Sequence, residues 1–195
     1  MIAKKCLHIA LFPLPFLIIS LVFLKFYEFF KYIFFVFLIF QIFFIFFFRD
    51  IKREIQDGIV SPADGKIVES NGKISIFMSL FDMHVNLMPY DGKISKIVHY
   101  KGEHKPAFSK IERNEKVEID IESKIGKIKV VQIAGFFARR IVTYIKEGEY
   151  LKKGEKLGII RFGSRVEIIL PENCKIVAEK GKKIKAGQTV ALLGN

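Results

Sequence analysis

The first quarter of the chain is dominated by two long apolar runs. They extend from Ile9 to Leu24 and from Tyr32 to Phe48, 16 and 17 residues, and 15 of the 21 Phe lie before residue 49. An α-helix rises about 1.5 Å per residue, so each run covers roughly 25 Å of a hydrocarbon core about 30 Å thick. The pattern predicts a membrane hairpin of two helices, about residues 9–24 and 32–48, within an N-terminal segment of residues 1–50.

The basic residues around the two runs predict how this hairpin is oriented. Those that flank it are Lys4, Lys5, Arg49, Lys52 and Arg53, and those in the connection are Lys25 and Lys31. By the positive-inside bias, both ends of the hairpin lie on the cytoplasmic side of the cell membrane. A secretory signal peptide is the alternative for the first run, but no small-residue cleavage site follows it and a second apolar run does.

From residue 51 onward the chain changes to short runs in which apolar and polar residues alternate. Examples are GKISIFMS, GKISKIVHY, EKVEIDIES and GKIKVVQIAG, and they are bounded by Gly, Asn, Asp and Pro. Alternation with a period of two is typical of strands with one buried face, and the bounding residues are typical of turns. Residues 51–195 are therefore predicted to form a mainly β domain, a sandwich or barrel with few helices.

Two internal echoes refine this prediction. The stretch PADGKI from Pro62 recurs as PYDGKI from Pro89, where Asp-Gly supplies a turn before a strand. The stretch EGEYLKKGEKLG from Glu147 recurs as KGKKIKAGQTVA from Lys180. The second echo resembles the half-motif of lipoyl and biotinyl carrier domains, which are flattened β-sandwiches of two similar halves. Carriers present a modifiable Lys, commonly beside Met, and neither copy has one, so the echo indicates architecture.

The β domain carries an excess of positive charge. Residues 51–195 hold 27 Lys or Arg against 18 Asp or Glu, a net charge of +9. Such an excess indicates an anionic partner. No aromatic stacking pattern or binding motif for nucleic acid accompanies it, and the hairpin tethers the domain to a bilayer. The predicted partner is therefore an anionic membrane and not nucleic acid.

The sequence contains no motif for a disulfide framework or a metal site. Its two cysteines, Cys6 and Cys174, lie in different halves of the chain, which agrees with a reducing compartment. It has no paired Cys, no His-x-His and no His-Glu-x-x-His, so no metal is predicted.

One Gly-Ser pair, Gly163-Ser164, lies between two strand-like runs, KLGIIRF and RVEIILP. A strand interior disfavours Gly, so a Gly there usually marks a bulge or a close approach of the backbone. The missing Cβ leaves the Gly163 carbonyl open to attack by the Ser164 hydroxyl. Gly-Ser pairs are also common in turns, so the surrounding sequence has to decide between the two interpretations.

Three stretches together resemble the short form of phosphatidylserine decarboxylase, whose proenzyme cuts itself at this Gly-Ser bond. They are SPADGKIV at residues 61–68, GEHKPAF at 102–108 and GFFARRIVTYIKEGEYLKKGEKLGIIRFGSRVEIILP at 135–171. The resemblance extends from about Phe47 to the C-terminus. It implies two fragments, residues 1–163 and 164–195, that stay together as a heterodimer.

The resemblance also implies the chemistry. Attack of the Ser164 hydroxyl on the Gly163 carbonyl gives an ester, and β-elimination from that ester releases a chain that ends at Gly163. The dehydroalanine left at residue 164 hydrolyses to a pyruvoyl group, which serves as the cofactor. Its ketone forms a Schiff base with the amine of phosphatidylserine and accepts electrons as carbon dioxide leaves, which yields phosphatidylethanolamine.

Of the four His, His84 is the predicted base. An imidazole near neutral pKa is suited to taking the proton of Ser164, and FDMHVNLMP resembles the His-containing strand of the family. The long form of the family has a second His where this chain has Leu87. Either His84 alone serves both self-cleavage and decarboxylation, or another group shares the work.

Asp64 of SPADG matches the family carboxylate that orients this His. The resemblance therefore implies an arrangement of Asp64, His84 and Ser164 similar to a serine-protease triad. The alternative is that Asp64 is a turn residue, because Asp before Gly commonly closes turns. Its twin in the first echo, Asp91, is the internal control.

Basic side chains are the predicted contacts of the lipid phosphate or carboxylate. Arg161 and Arg165 flank Ser164, and forked guanidinium groups suit such anions. His104 in GEHKPAF lies in a loop that resembles the family and is predicted near the substrate. Arg139 and Arg140 are further candidates. The alternative is that these Arg face solvent or pair with Glu167.

These features predict a membrane-anchored, pyruvoyl-dependent phosphatidylserine decarboxylase with a β domain against the inner leaflet, and they leave a homo-oligomer open. Tethering suits a substrate with two acyl chains, because leaving the bilayer costs about 0.8 kcal/mol per CH₂. The rival interpretation is a non-enzymatic adaptor, in which the hairpin carries a carrier-like β-sandwich that docks onto partner proteins.

Overall fold

The chain divides into a helical unit, Met1–Ile51, and a β unit, Lys52–Asn195. The computed structural model describes residues 1–102, 114–135, 140–161 and 164–194, and of Ser164 it describes the backbone. The predictions for His104, Arg139 and Gly163 lie outside the described residues.

The helical unit contains helices α1 (Leu7–Ala10), α2 (Leu14–Phe23) and α3 (Phe30–Phe47). The first apolar run, predicted as one helix, is divided at Pro13, which caps α2 and is followed by Pro15 in its first turn. Proline has no N–H to donate and its ring clashes with the preceding turn, so the run cannot continue as one helix through this point. α3 is long and apolar enough to cross a membrane.

Aromatic contacts join the two longer helices of this unit. The rings of Phe16 and Phe37 stack with centroids 4.8 Å apart, and those of Phe23 and Phe30 stack with centroids 5.2 Å apart. These pairs follow one another in opposite order along the chain, so α2 and α3 run antiparallel.

The second unit is mainly β, as the alternating pattern predicts. Its strands are β1 (Ile59–Val60), β2 (Gly65–Glu69), β3 (Ile74–Met78), β4 (Val85–Leu87), β5 (Gly92–Tyr100), β6 (Lys116–Ser123), β7 (Gly126–Ala134), β8 (Arg140–Thr143), β9 (Tyr150–Leu151), β10 (Lys156–Arg161), β11 (Ser164–Ile169), β12 (Cys174–Ile176), β13 (Lys183–Ile184) and β14 (Thr189–Leu193). Eight form one sheet in the order β13-β2-β3-β11-β7-β6-β5-β9. Two sheets of three strands, β4-β10-β8 and β1-β14-β12, complete the unit, and the described pairs are antiparallel.

The core follows the alternation of the strands. On β6, Val117, Ile119 and Ile121 are buried, whereas the intervening polar residues face the other way. Val166 and Ile168 on β11 are buried in the same core cluster. Burial of each such side chain contributes roughly 1.5–3 kcal/mol, so this apolar layer is the main source of the unit's stability.

The two internal echoes pair with each other. The copy that starts at Pro62 bonds to the copy that starts at Lys180, and the copy that starts at Pro89 bonds to the copy that starts at Glu147. The matching backbone hydrogen bonds in the two pairs have nearly equal lengths. They are Gly181 N to Ile67 O and Gly148 N to Ile94 O, both 2.8 Å, and Gly187 N to Ser61 O and Gly154 N to Met88 O, both 2.9 Å. Two further bonds, Val60 N to Pro89 O and Leu87 N to Pro62 O, cross between the copies. The unit therefore contains an internal repeat with approximate two-fold symmetry.

The same repeat relates the two small sheets. Ile59 of β1 pairs with Ala191 of β14, and Asn86 of β4 pairs with Gly158 of β10. Aligning the echoes makes Ile59 equivalent to Asn86 and Ala191 equivalent to Gly158. The echoes thus correspond to equivalent elements of structure, while their assignment to the carrier type of sandwich stays a prediction.

Two glycines of the repeat should respond differently to substitution by Ala. Gly181 and Gly187 both have positive φ, +91° and +89°, but a Cβ at Gly181 meets open space, whereas one at Gly187 overlaps the backbone carbonyl of Glu54. Positive φ alone costs a side chain about 1 kcal/mol. We expect Gly181→Ala to lower the Tm of the detergent-purified chain by about 3 °C and Gly187→Ala to lower it at least twice as far. Equal losses would contradict this packing.

Candidate active site

Ser164 begins the strand that lies at the centre of the large sheet. It pairs with Met78 on β3 and with Ala134 on β7. The preceding strand, β10, ends at Arg161 and belongs to a different sheet. The chain therefore passes from the sheet β4-β10-β8 into the large sheet between Arg161 and Ser164.

Contacts of Ala134 determine how the backbone of Ser164 is directed. The Ala134 N–H donates to the Glu115 carbonyl at 2.9 Å, and its carbonyl accepts from Nδ2 of buried Asn114 at 2.7 Å. Both polar groups of Ala134 thus point away from β11. In an antiparallel pair the opposite residue does the same, so the N–H and C=O of Ser164 are directed toward Met78 on β3.

His84 is fully buried and fixed at both its ring and its backbone. Its Nδ1 lies 2.9 Å from the carbonyl oxygen of Asp82, and its own carbonyl accepts from Ile160 N at 3.3 Å. A carbonyl can only accept, so Nδ1 carries the hydrogen and Nε2 carries the lone pair of the neutral ring. Ile160 precedes Arg161, so this base lies beside the end of the strand that leads to Gly163.

A short turn connects His84 to the neighbour of Ser164. Asp82 stabilises it, because its carboxylate accepts from the Ser79 N–H at 2.8 Å and from the Ser79 hydroxyl at 2.7 Å. Met78 immediately precedes this turn and pairs with Ser164. Residues 78–84 therefore connect the two strands: Met78 pairs with the first residue of β11, and His84 bonds to Ile160 near the end of β10.

The structure gives Asp64 partners other than His84. Its Oδ1 accepts from the Ala186 N–H at 2.8 Å, and its Oδ2 accepts from the Arg53 guanidinium. Its twin Asp91 accepts from the Lys153 N–H in the same way, at 2.6 Å. In the described part of the chain Asp64 thus serves the turn of the repeat, and its role in orienting His84 stays a prediction.

Asp64 differs from its twin in burial and in its ion pair. Asp91 is exposed, whereas Asp64 is 5% exposed and Arg53 binds it. A buried carboxylate needs an opposite charge or several donors, and here it has both. By sequence Arg53 is one of the basic residues that flank the hairpin, and no local pattern indicates its contact with Asp64.

Two buried amides that lie beside the neighbours of Ser164 were not predicted from the sequence. Asn86 and Gln132 are fully buried, and Gln132 Nε2 donates to Asn86 Oδ1 at 2.7 Å. Asn86 Nδ2 in turn lies 3.8 Å from the sulfur of Met78. Asn86 follows His84 by two residues, which places both side chains on one face of an extended chain. The available signal was a polar amide inside each of two apolar runs, VNL and VVQIA.

The two arginines predicted to bind substrate lie on either side of the chain crossing. Arg161 ends β10 and Arg165 is the second residue of β11, and both are half-buried. Burial lowers the pKa of Arg165, against the opposing charges of Glu167 and Glu69. Glu167 itself is bound by Lys73, at 3.0 Å. The structure therefore provides Glu167 with a cation other than the arginines.

Within the described ranges, no group of three or more His, Cys, Asp or Glu is arranged to hold a metal ion.

Comparison with known proteins identifies the family of this chain. The sequence profile named Phosphatidylserine decarboxylase matches residues 40–192. This chain belongs to the phosphatidylserine decarboxylase family. The match covers the whole β unit up to residue 192, so it includes Asp64, His84, Gly163 and Ser164.

Curated relatives of this phosphatidylserine decarboxylase family member carry two kinds of name. A protein of Archaeoglobus fulgidus, provisionally named an archaetidylserine decarboxylase proenzyme, is 49% identical over 146 residues, 74% of this chain and 75% of its own length. One of Methanosarcina mazei with the same provisional name is 46% identical, covering 73% and 71%. A Streptomyces griseus protein named phosphatidylserine decarboxylase proenzyme is 44% identical, covering 73% and 70%.

The ion pair at Asp64 can be tested by a double-mutant cycle. We expect Arg53→Leu to lower the free energy of unfolding by about 3 kcal/mol, because it leaves a buried carboxylate without its cation. Adding Asp64→Asn should recover most of this loss, since the amide still accepts from Ala186. Thermal unfolding of the four proteins in detergent measures the coupling. Additive losses would show that the two side chains do not stabilise each other.

Proposed function

We propose that this chain decarboxylates phosphatidylserine to phosphatidylethanolamine after cutting itself between Gly163 and Ser164. In this proposal Ser164 is the nucleophile and becomes the pyruvoyl group. Family membership supports a decarboxylase, and the proenzyme names of the relatives support processing. The observation that carries the assignment of the site is the buried His84, which is fixed in one tautomer beside the strand that leads to the cleavage bond.

His84 is proposed as the base of self-cleavage. With the hydrogen on Nδ1, its Nε2 can take the proton of the Ser164 hydroxyl as the oxygen attacks the Gly163 carbonyl. The Asp82 carbonyl maintains this tautomer and stabilises the imidazolium that forms. The peptide C–N bond then breaks as the ester forms, and the proton passes to the leaving nitrogen. A positioned base of this kind contributes about 10²–10⁴-fold to the rate.

The residues around Ser164 suit a pyruvoyl group at this position. Its ketone supplies an electrophilic carbon for an amine and an electron acceptor for loss of carbon dioxide. Ser164 provides the carbon atoms of the group, and water supplies the ketone oxygen as the nitrogen of residue 164 leaves as ammonia, so no separate binding site is needed. His84, once protonated, can return a proton on the same side of the site. Arg161 and Arg165 provide positive charge for the phosphate or carboxylate of the head group.

The sheet pairing supports a stable heterodimer of the two fragments. In the fragment of residues 164–195, β11 pairs with β3 and β7, β13 pairs with β2, and β14 pairs with β1. Each of these partners belongs to the other fragment. Cutting one peptide bond therefore leaves the strand hydrogen bonds in place.

The proposed location is the cell membrane, with the β unit on the cytoplasmic side. α3 is apolar enough to span a bilayer, and α2 and α3 expose large apolar side chains. The basic residues that flank the helices favour cytoplasmic ends, and the net positive β unit would be attracted to anionic lipid head groups.

The two names carried by the relatives differ in the lipid chains of the substrate and agree in its head group. Archaetidylserine and phosphatidylserine share the serine head group, on which the chemistry takes place. We therefore expect both lipids to be decarboxylated, with release of carbon dioxide from each in detergent micelles as the measurement.

Self-cleavage can be tested by measuring the intact mass of the purified protein. We expect the purified chain to consist of fragments of 163 and 32 residues, the smaller one blocked at its N-terminus and reducible by borohydride. Ser164→Ala removes the nucleophile and should leave one chain of 195 residues without activity. His84→Ala should slow cleavage by about 10²–10⁴-fold.

The matched control for this experiment is His99→Ala. His99 is an exposed residue of β5, so its loss should leave cleavage at the wild-type rate. A wild-type chain that remains whole and carries no reducible terminus would favour the adaptor interpretation. Normal cleavage of His84→Ala would exclude His84 as the base.

The membrane orientation can be tested with single cysteines. In a background of Cys6→Ala and Cys174→Ala, Glu28→Cys places a thiol in the connection between α2 and α3, and Asn71→Cys places one in an exposed turn of the β unit. A membrane-impermeant maleimide should label position 28 in intact cells and position 71 only after permeabilisation. The reverse pattern would contradict a cytoplasmic β unit.

A further inference from the structure

Gln132 on β7 carries a buried side-chain acceptor. The side chain is fully buried, yet its Oε1 has no hydrogen-bond donor among the described residues. Buried polar atoms are nearly always paired, so an unpaired one in a folded protein marks a site for a ligand, a reacting group or a water.

The contacts of the neighbouring amide determine which atom of Gln132 is unpaired. Asn86 places its Nδ2 against the sulfur of Met78, at 3.8 Å. A thioether can accept but not donate, so this contact requires the Asn86 oxygen to face Gln132. Gln132 Nε2 then donates to that oxygen, at 2.7 Å, and Oε1 is left as the acceptor. The missing partner is therefore an N–H or O–H donor.

The internal repeat shows that the fold does not need an amide here. The residue equivalent to Asn86 in the other copy is Ile59, and both are fully buried. Each pairs with a small residue of the neighbouring strand, Gly158 for Asn86 and Ala191 for Ile59. One copy thus fills the position with an apolar side chain. The amide occurs in the copy that also carries His84.

Gln132 is a near neighbour of the start of β11. Gln132 precedes Ala134 by two residues on β7, and Ala134 pairs with Ser164. Such diagonal neighbours have Cα atoms about 7–8 Å apart, within reach of a long side chain. The Asn86–Gln132 pair also contacts Met78, which pairs with Ser164 from the other side. The contacts of the pair therefore connect Gln132 on β7 with Met78 on β3, the two strands that flank the first residues of β11.

We propose that Gln132 Oε1 binds the amino group of the serine head group and directs that nitrogen to residue 164. Asn86 acts as its positioning residue, because it fixes the Gln132 amide. The inference rests on the proposed function, since residue 164 is where the amine reacts. A neutral carbonyl acceptor suits a primary ammonium group, whereas it cannot bind the lipid phosphate.

The double variant Asn86→Ile/Gln132→Leu tests this proposal. It replaces both amides by apolar side chains, as Ile59 does at the equivalent position of the other copy of the repeat. Replacing both members of a buried polar pair by apolar groups is nearly neutral or stabilising, so its Tm should match or exceed that of wild type. It should also be cleaved and carry a reducible ketone. After borohydride reduction of that ketone, the Kd for phosphatidylethanolamine in micelles should rise roughly tenfold. The Kd for phosphatidylglycerol, which has no amine, should stay unchanged.

Gln132→Glu provides the matched control. It keeps an acceptor oxygen whether or not the carboxyl group is protonated, so it should discriminate between the two lipids as wild type does. Should the double variant fail to fold, Gln132→Met takes its place beside Gln132→Glu, and the same loss of discrimination is expected.

Three outcomes would overturn the inference, and they can be told apart. An unchanged ratio of the two Kd values in the apolar variant would assign the oxygen to a water or to packing. A stable variant that is not cleaved would assign the amide pair to self-cleavage. A wild-type chain that is itself uncut would remove the proposed function, and this inference with it.

Discussion

The structure depends on the pairing of β11 along both of its edges. This strand has β3 on one side and β7 on the other, and its first residue, Ser164, already pairs with both. A new chain end usually frays, because nothing holds its first residues. Here the backbone groups of Ser164 are directed to Met78, and the rest of the strand continues through the core. A terminus created at this residue would therefore stay in place among buried neighbours.

The buried surroundings of Ser164 cost free energy, because polar side chains there are removed from water. His84, Asn86 and Gln132 are all buried. Each has contacts that reduce this cost: a carbonyl for the His84 ring, and each other for the two amides. The apolar core supplies the stability that tolerates such a group. The position equivalent to Asn86 in the other copy of the repeat has Ile59, so His84 and Asn86 belong to one copy of a nearly symmetric unit.

The sequence allowed the regular parts of this fold to be predicted, and it did so through local patterns. The alternation in EKVEIDIES corresponds to β6, and the two echoes correspond to paired copies in the structure. The division of the first apolar run could also have been read from Pro13. What local patterns could not supply were contacts between distant segments. Arg53 reads as a flanking basic residue until its pairing with Asp64 is known, and the amides of Asn86 and Gln132 read as isolated polar residues until two sheets bring them together.

The repeat also accounts for the surroundings of Leu87, the position where the long form of the family has a second His. Leu87 pairs with Lys156 at the start of β10, and its N–H bonds to Pro62 within the crossing of the two copies. His84 lies three residues away, roughly 10 Å along an extended chain, beside the end of β10. Because the spacing is odd, side chains at 84 and 87 lie on opposite faces, whereas those at 84 and 86 share one face. Position 87 thus belongs to the packing of the repeat. Under the proposed function His84 takes the proton in self-cleavage, and the proton transfers of decarboxylation fall to His84 or to another group of the site.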